Sequence, residues 1–334
     1  MPHRLARDNC RPQAGQHFEV GGKMFELRGK LGDGAAGLVR KASPLGMETL
    51  FAVKFLAPDP KYIDPSAFED VARRFKREGE RGVHLTHDHL LKILAYCENE
   101  KGSAFATRDP KNPFLLMEYL GGKTLESYIR STQQSEQGVF LLNKSRLSIA
   151  IQLADSLKFL RDRRLVHRDI KPANIFLEKT SRPARWLAKL GDFGVMKWGD
   201  FHSSFTTGTL TVTAQKGLGT LKYMSPEQAV RPDEVTSKAD VWSLGITLFE
   251  LFTGQILASA HHVYELQNAR RLRGNSLSRF GAMSYRLPPE NEGVADLVLD
   301  MFLAPDGRPA IDKICGRLQW EYSHRFSTEW GDDV

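Results

Sequence analysis

Residues 165–177 read LVHRDIKPANIFL. Within this run His167, Arg168, Asp169, Lys171 and Asn174 crowd around Pro172, and Leu165, Val166, Ile175, Phe176 and Leu177 close it off on both sides. Apolar side chains seek the interior and charged ones solvent or a partner. Five polar groups bracketed in this way predict a loop held rigid by buried flanks. Taken singly, each of the five could equally be an ordinary surface residue.

The whole chain has 334 residues, enough for one large domain or two modest ones. A net charge of +7 is a small excess at this length, and no nucleic-acid partner is expected from it. Cys10, Cys97 and Cys315 are odd in number, far apart and without metal-ligand or CxxC spacing, so they read as free thiols in a reducing compartment. No apolar run reaches the length of a membrane span, and the basic N-terminus (Arg4, Arg7, Arg11) lacks the apolar segment of a signal peptide. The expectation is a cytoplasmic protein with no membrane partner.

Outward from the loop, the chain divides by pattern. Residues 1–17 are polar and unpatterned, a tail. From Met24 to Leu56, short strand-like runs (MFELRGKL, AGLVRKA, TLFAVKFL) are separated by glycine or by the turn PLGM. Ser66 and Glu69 have capping-box spacing, and Phe68, Val71, Ala72 and Phe75 follow at helical intervals, predicting a helix to about residue 85. FLLMEY (114–119) reads as a buried strand, and residues 145–160, with Leu147, Ile151, Ala154, Leu157 and Leu160 in phase, read as a buried helix. The run SKADVWSLGITLFELFT (237–253) is apolar enough to be a central helix, with Ser237 and Asp240 offering a cap and Gly254 a stop. Segments 101–113 and 178–188 read as surface loops. A strand-rich first third and a helix-rich remainder imply two lobes joined near Gly121 and Gly122.

Other chemistry-bearing stretches surround the loop. LGDGAAGLV places Gly32, Gly34 and Gly37 in GxGxxG spacing, which alone fits a dinucleotide fold, a phosphate-cradling hairpin or a plain turn. The following LVRKA runs into another strand rather than a helix, against the dinucleotide reading. Lys54 lies in the apolar strand FAVKFL and either snorkels outward or meets a buried anion. Glu78 shares one helical stripe with Phe68, Val71, Phe75 and Gly82, whereas Glu80 points away. An inward carboxylate needs a cation, and Lys54 is the candidate. In LGDFG, Asp192 and Phe193 sit between Gly191 and Gly194, either a metal-ligating carboxylate or a tight turn.

The order decides among these readings. GxGxxGxV, AVK, an inward glutamate, HRDIKPAN, DFG and SPE (Ser225–Glu227) follow one another in one chain, and together they resemble the eukaryotic-type (Hanks-type) serine/threonine protein kinases. The resemblance runs over about residues 24–320 and includes GTLKYMSPEQA, ADVWSLG and APDGRPAI. It implies an α+β, two-lobed fold: a small β-rich N-lobe with one regulatory helix (18–120) and a larger, mainly helical C-lobe (121–325), with a C-terminal tail over 326–334. ATP and Mg2+ are implied in the cleft between the lobes.

Residue by residue, the resemblance makes Asp169 the catalytic aspartate, Lys171 a contact of the γ-phosphate, and Asn174 and Asp192 the magnesium ligands. Lys54, steadied by Glu78, would bind the α- and β-phosphates beneath Gly32, Gly34 and Gly37. Adenine would lie among Val39, Ala52 and Phe176, with Met117 as gatekeeper and the backbone of Glu118 and Leu120 pairing with the base. Glu227 with Arg308, and Asp240, would brace the larger lobe. Lys171 and Thr220 resemble the Ser/Thr branch. Arg168 and Lys197 would form a basic pocket for a phosphorylated activation segment, with Thr211 and Thr213 the favoured sites, their TxT spacing resembling bacterial members.

The expectation is therefore an ATP-dependent kinase of protein Ser/Thr hydroxyls that also phosphorylates its own activation segment. A partnered scaffold without chemistry is the first alternative, and a small-molecule kinase the second. The first is disfavoured because Lys54, Glu78, Asp169, Asn174 and Asp192 are all present, the second by the complete GTLKYMSPEQ segment. Ala35 and Ala36 at the loop tip depart from the family pattern, as do Gly79 and Gly82 in the glutamate-bearing helix, each costing about 1 kcal/mol relative to alanine. That helix is expected to depend on a regulatory partner or self-association. Arg270, Arg271, Arg273 and Arg279 read as a solvated face or a docking site for an acidic protein.

Overall fold

Alternation along the early strands dictates a sheet with two different faces, because successive side chains point to opposite sides. A computed structural model describes residues 12–33, 37–56, 68–98, 113–132, 140–181, 186–194, 196–198, 222–255 and 289–326. Gly34, Ala35, Ala36, Thr211, Thr213, Thr220, Cys10 and the arginines at 270–279 lie outside the described residues. The chain divides into two compact units, one running to Tyr119 and including Phe193, the other starting at Leu120.

The first unit is a six-stranded antiparallel sheet of β1 (His17–Val20), β2 (Lys23–Asp33), β3 (Leu38–Pro44), β4 (Phe51–Phe55), β5 (Ile93–Cys97) and β6 (Phe114–Glu118). Its order is β1-β2-β3-β4-β6-β5. One face gathers Phe18, Phe25, Leu27, Leu38, Ala42, Val53, Phe55, Phe114 and Leu116 into a core. Phe18 stacks on Phe25 at 5.3 Å and meets Phe114 edge-on at 5.2 Å, which gives the short β1 its anchor. The opposite face carries Val39 across from Lys54, Lys54 across from Leu115, Leu115 across from Tyr96, and Ala52 across from Met117. The helix α1 (Phe68–Gly82) lies on this second face.

In the second unit, β7 (Lys123–Thr124), β9 (Ile175–Lys179) and β10 (Trp186–Leu190) form a sheet ordered β10-β9-β7, and β8 (Leu165–Val166) pairs with β11 (Lys197–Trp198). Segment 178–188, expected as a loop, instead contributes to the β9–β10 pairing: Glu178 is opposite Leu187 and Lys179 opposite Trp186. Gln152 secures that hairpin by donating to Trp186 O and accepting from Ala188 N, both at 2.8 Å.

Helices α2 (Leu125–Thr132), α3 (Lys144–Asp162), α4 (Pro226–Val230), α5 (Ser237–Thr253), α6 (Glu292–Asp300) and α7 (Ile311–Phe326) complete the unit. Every residue of α5 from Ala239 onward is buried, as its apolar run requires. Its N-cap is Thr236, whose hydroxyl accepts from Lys238 N, and Gly254 at φ 73° ends it in the left-handed cap only glycine adopts freely. Asp240, expected as a possible cap, is spent elsewhere. Among the described residues, no helix is long and apolar enough to cross a membrane.

Candidate active site

The apolar flanks of the opening stretch are buried as expected: Leu165, Val166, Ile170, Ile175 and Leu177 are in the core, and Phe176 is half-buried. Between β8 and β9 the backbone is held by side chains from α4 and α5. Asp240 accepts His167 N–H at 2.8 Å on one carboxylate oxygen and Arg168 N–H at 2.9 Å on the other. The side-chain amide of Gln228 donates to Arg168 O at 2.9 Å. These three bonds hold Arg168 at φ 70°, a left-handed conformation costly for a residue that carries a Cβ.

The result is a tight polar cluster. Lys171 Nζ lies 2.9 and 2.8 Å from the two oxygens of Asp169, and Asn174 Nδ2 donates to Asp169 Oδ2 at 2.9 Å and to Asp169 O at 2.8 Å. The carboxylate is therefore oriented by an ammonium and an amide while its side chain stays 14% exposed. Such a group can accept a proton from a hydroxyl brought to it. Asp169 N–H in turn donates to His167 Nδ1 at 3.3 Å.

Asp192 adopts φ 67° directly after Gly191, whose N–H donates to Asn174 O at 2.9 Å. This bond ties the DFG stretch to the end of the loop. With Asn174 Nδ2 committed to Asp169, its Oδ1 is the atom available as a ligand. An amide oxygen and a carboxylate are hard donors that suit magnesium completed by phosphates and water. Among the described residues no group of three or more His, Cys, Asp or Glu could hold a metal by itself.

Burial sets the charge states. His167 is fully buried, which pushes it down to about 4 against the pull of Asp169 and Asp192, so it is neutral at pH 7. Burial raises Asp240 to about 6, opposed by the N–H groups of Arg168 and His167, and it stays mostly ionised at neutral pH.

In the first unit, Lys54 Nζ contacts Glu78 Oε1 at 3.0 Å and Oε2 at 2.9 Å, with Glu78 3% exposed. Glu80 points outward, 3.6 Å from Lys76. Val39, Ala52 and Met117 share the Lys54 face of the sheet. Gly32 pairs with Val39 between β2 and β3, and Gly37 takes φ 147°, open to glycine. Glu118 N–H donates to Lys92 O at 3.1 Å, and Lys92 N–H to Glu118 Oε1 at 2.7 Å. Leu120, Phe176, Asp169, Lys171, Asn174 and Asp192 belong to the second unit.

Arg168 and Lys197 converge on one turn. Arg168 Nη2 donates to Pro232 O at 2.7 Å, and Lys197 Nζ to Asp233 O at 2.9 Å and Val235 O at 3.3 Å. Arg308 reaches both oxygens of Glu227, one at 2.9 Å, donates to Lys238 O at 2.8 Å, and stacks 4.9 Å from the Trp242 ring. Sequence reasoning assigned no role to Gln228 or to the carbonyls of residues 232–235. Gln228 follows the SPE motif directly, a position that could have flagged it. Backbone carbonyls leave no such signal.

The family described as the protein kinase domain matches residues 25–327. The serine/threonine-protein kinase PknB of Mycobacterium leprae (strain TN) is 28% identical over 299 residues, 85% of this chain and 43% of that protein. PknB of Mycobacterium tuberculosis (strain ATCC 25618 / H37Rv) is 31% identical over 231 residues, 69% of this chain and 32% of that protein. Serine/threonine-protein kinase PrkC of Bacillus subtilis (strain 168) is 31% identical over 232 residues, 70% of this chain and 31% of that protein. The chain thus spans less than half the length of these relatives. With the match covering most of its length and the HRD, DFG and SPE stretches folded as described, the chain belongs to the protein kinase family.

Proposed function

We propose that this chain is an active serine/threonine protein kinase, transferring the γ-phosphate of ATP to Ser and Thr hydroxyls of protein substrates and of its own segment between DFG and SPE. Asp169, held by Lys171 and Asn174, orients the attacking hydroxyl and takes its proton. Lys171 also faces the charge that develops on the γ-phosphate, and Lys54, fixed by Glu78, binds the α- and β-phosphates. Asn174 and Asp192 hold magnesium, whose charge offsets that of the phosphates. To adenine we assign Val39, Ala52, Met117 and Glu118 of the first unit and Leu120 and Phe176 of the second, and to the phosphates the glycines at 32, 34 and 37. We place the protein in the cytoplasm, acting on protein partners and not on nucleic acid or membrane.

One observation carries this reading above that of an inert scaffold. Asp169 is already oriented by two donors within 3 Å, and Lys54 is already closed on Glu78. Neither charge set is missing a member. Incubation of the purified protein with γ-labelled ATP, magnesium and casein, followed by phosphoamino-acid analysis, should give phosphoserine or phosphothreonine, abolished by EDTA. ATP consumption with unlabelled protein would indicate a small-molecule kinase, and no consumption a scaffold.

A further inference from the structure

Helix α1 has glycine at 79 and 82, inside its inward stripe, where helix propensity alone disfavours them. The packing gives the reason. A Cβ at Gly79 would lie 2.3 Å from Cδ2 and 2.4 Å from Cγ of Tyr96, and 2.8 Å from Cδ2 of Leu115. One at Gly82 would lie 2.5 Å from Cδ1 of Ile93. The bare helix backbone is thus in contact with the root of the Tyr96 ring, which cannot yield as the tip of a flexible side chain can.

Strand register makes this contact consequential. Lys54 on β4 is opposite Leu115 on β6, and Leu115 is opposite Tyr96 on β5, so the three form one cross-strand row. Consecutive helix residues meet opposite ends of that row: Glu78 on Lys54, Gly79 on Tyr96 and Leu115. Tyr96 is also tied to the helix at its far end, donating its hydroxyl to Glu98 Oε1 at 3.0 Å, which accepts from Lys76 Nζ at 2.6 Å. The Phe75 ring, one turn earlier on α1, stands 6.5 Å from Tyr96 and 5.9 Å from Lys54 Nζ.

We infer that Tyr96, seated on the bare backbone of Gly79, sets the height of α1 over the sheet and so positions Glu78 on Lys54. Gly79 and Tyr96 are positioning residues. A methyl group at 79 must lift the helix by about 1 Å to reach ordinary contact distance, enough to break the two Lys54–Glu78 hydrogen bonds. The inference deepens the proposed function and rests on it only for the catalytic consequence; the geometric one can be read without any turnover.

The test is a double-mutant cycle with two readouts on folded protein: acylation of Lys54 by a small amine-reactive reagent, read by peptide mass spectrometry, and kcat/KM for ATP. Glu78→Gln should raise Lys54 labelling several-fold, and Gly79→Ala should raise it by a similar factor. Gly79→Ala should lower kcat/KM at least tenfold in the parent, yet by less than twofold in the Glu78→Gln background, since its effect passes through Glu78. Should Gly79→Ala not fold, Tyr96→Ala serves in its place, with the same rise in labelling and the same loss of effect beside Glu78→Gln. Unchanged Lys54 labelling in a folded Gly79→Ala or Tyr96→Ala protein would overturn the inference, as would equal losses of kcat/KM in both backgrounds. Changed labelling in a protein that never transfers phosphate would leave the positioning intact and refute the kinase reading instead.

Discussion

Burial disfavours the protonated form of His167. Its ring is fully buried and its pKa falls from 6.5 to about 4. Between those values the unfolded chain binds a proton that the folded one does not, so stability drops as pH falls from 6.5 through 4 and is complete above 6.5. The shift corresponds to about 3 kcal/mol at full acidification. His167→Phe should therefore show a shallower loss of stability over this window in urea titrations at several pH values, and equal slopes for parent and variant would contradict the assignment. Residue identity made much of this site legible in advance. Glu78 could be paired with Lys54 from helical phase alone, because an inward carboxylate demands a cation. The bonds from Gln228 to Arg168 O and from Lys197 to residues 233 and 235 could not be foreseen, since they end on backbone atoms.

At the scale of elements, glycine separates seats from mere gaps. A Cβ at Gly122, just before β7, would stand 1.7 Å from Leu177 O, whose strand β9 is fixed by the Lys123–Leu177 pairing. Gly316 in α7 has nothing within 4 Å. Gly122→Ala should cost about 2 kcal/mol or more, whereas Gly316→Ala should stabilise by up to about 1 kcal/mol, both measurable by denaturant midpoint. A tolerated Gly122→Ala would mean that β7 and β9 are not paired as described. Long periodic helices were readable from sequence within a residue or two, as α3 and α5 illustrate. Short elements were not: β1 has four residues, and β9–β10 carries polar Glu178 and Lys179 within a run that resembles a loop until its partner strand is known. The N-cap of α5 was misjudged for a related reason, because Asp240 is drawn away by the loop it anchors and Thr236 takes the N-cap.

At the scale of the whole molecule, each unit holds a complete half of the proposed machinery: Lys54 with Glu78 in one, and the Asp169 cluster with Asp192 in the other. Self-phosphorylation adds a prediction at this scale. Mass spectrometry of the expressed protein should find phosphate at Thr211 or Thr213 in the parent and none in Asp169→Asn, and phosphate on both proteins would assign the modification to another enzyme. The central claim, that Asp169 drives phosphoryl transfer, is tested most directly by comparing the turnover of parent and Asp169→Asn at saturating ATP, magnesium and protein substrate, with nucleotide affinity measured alongside. The account predicts a fall in kcat of about 10²–10⁴-fold with ATP affinity little changed. Turnover by Asp169→Asn at close to the parental rate would contradict it.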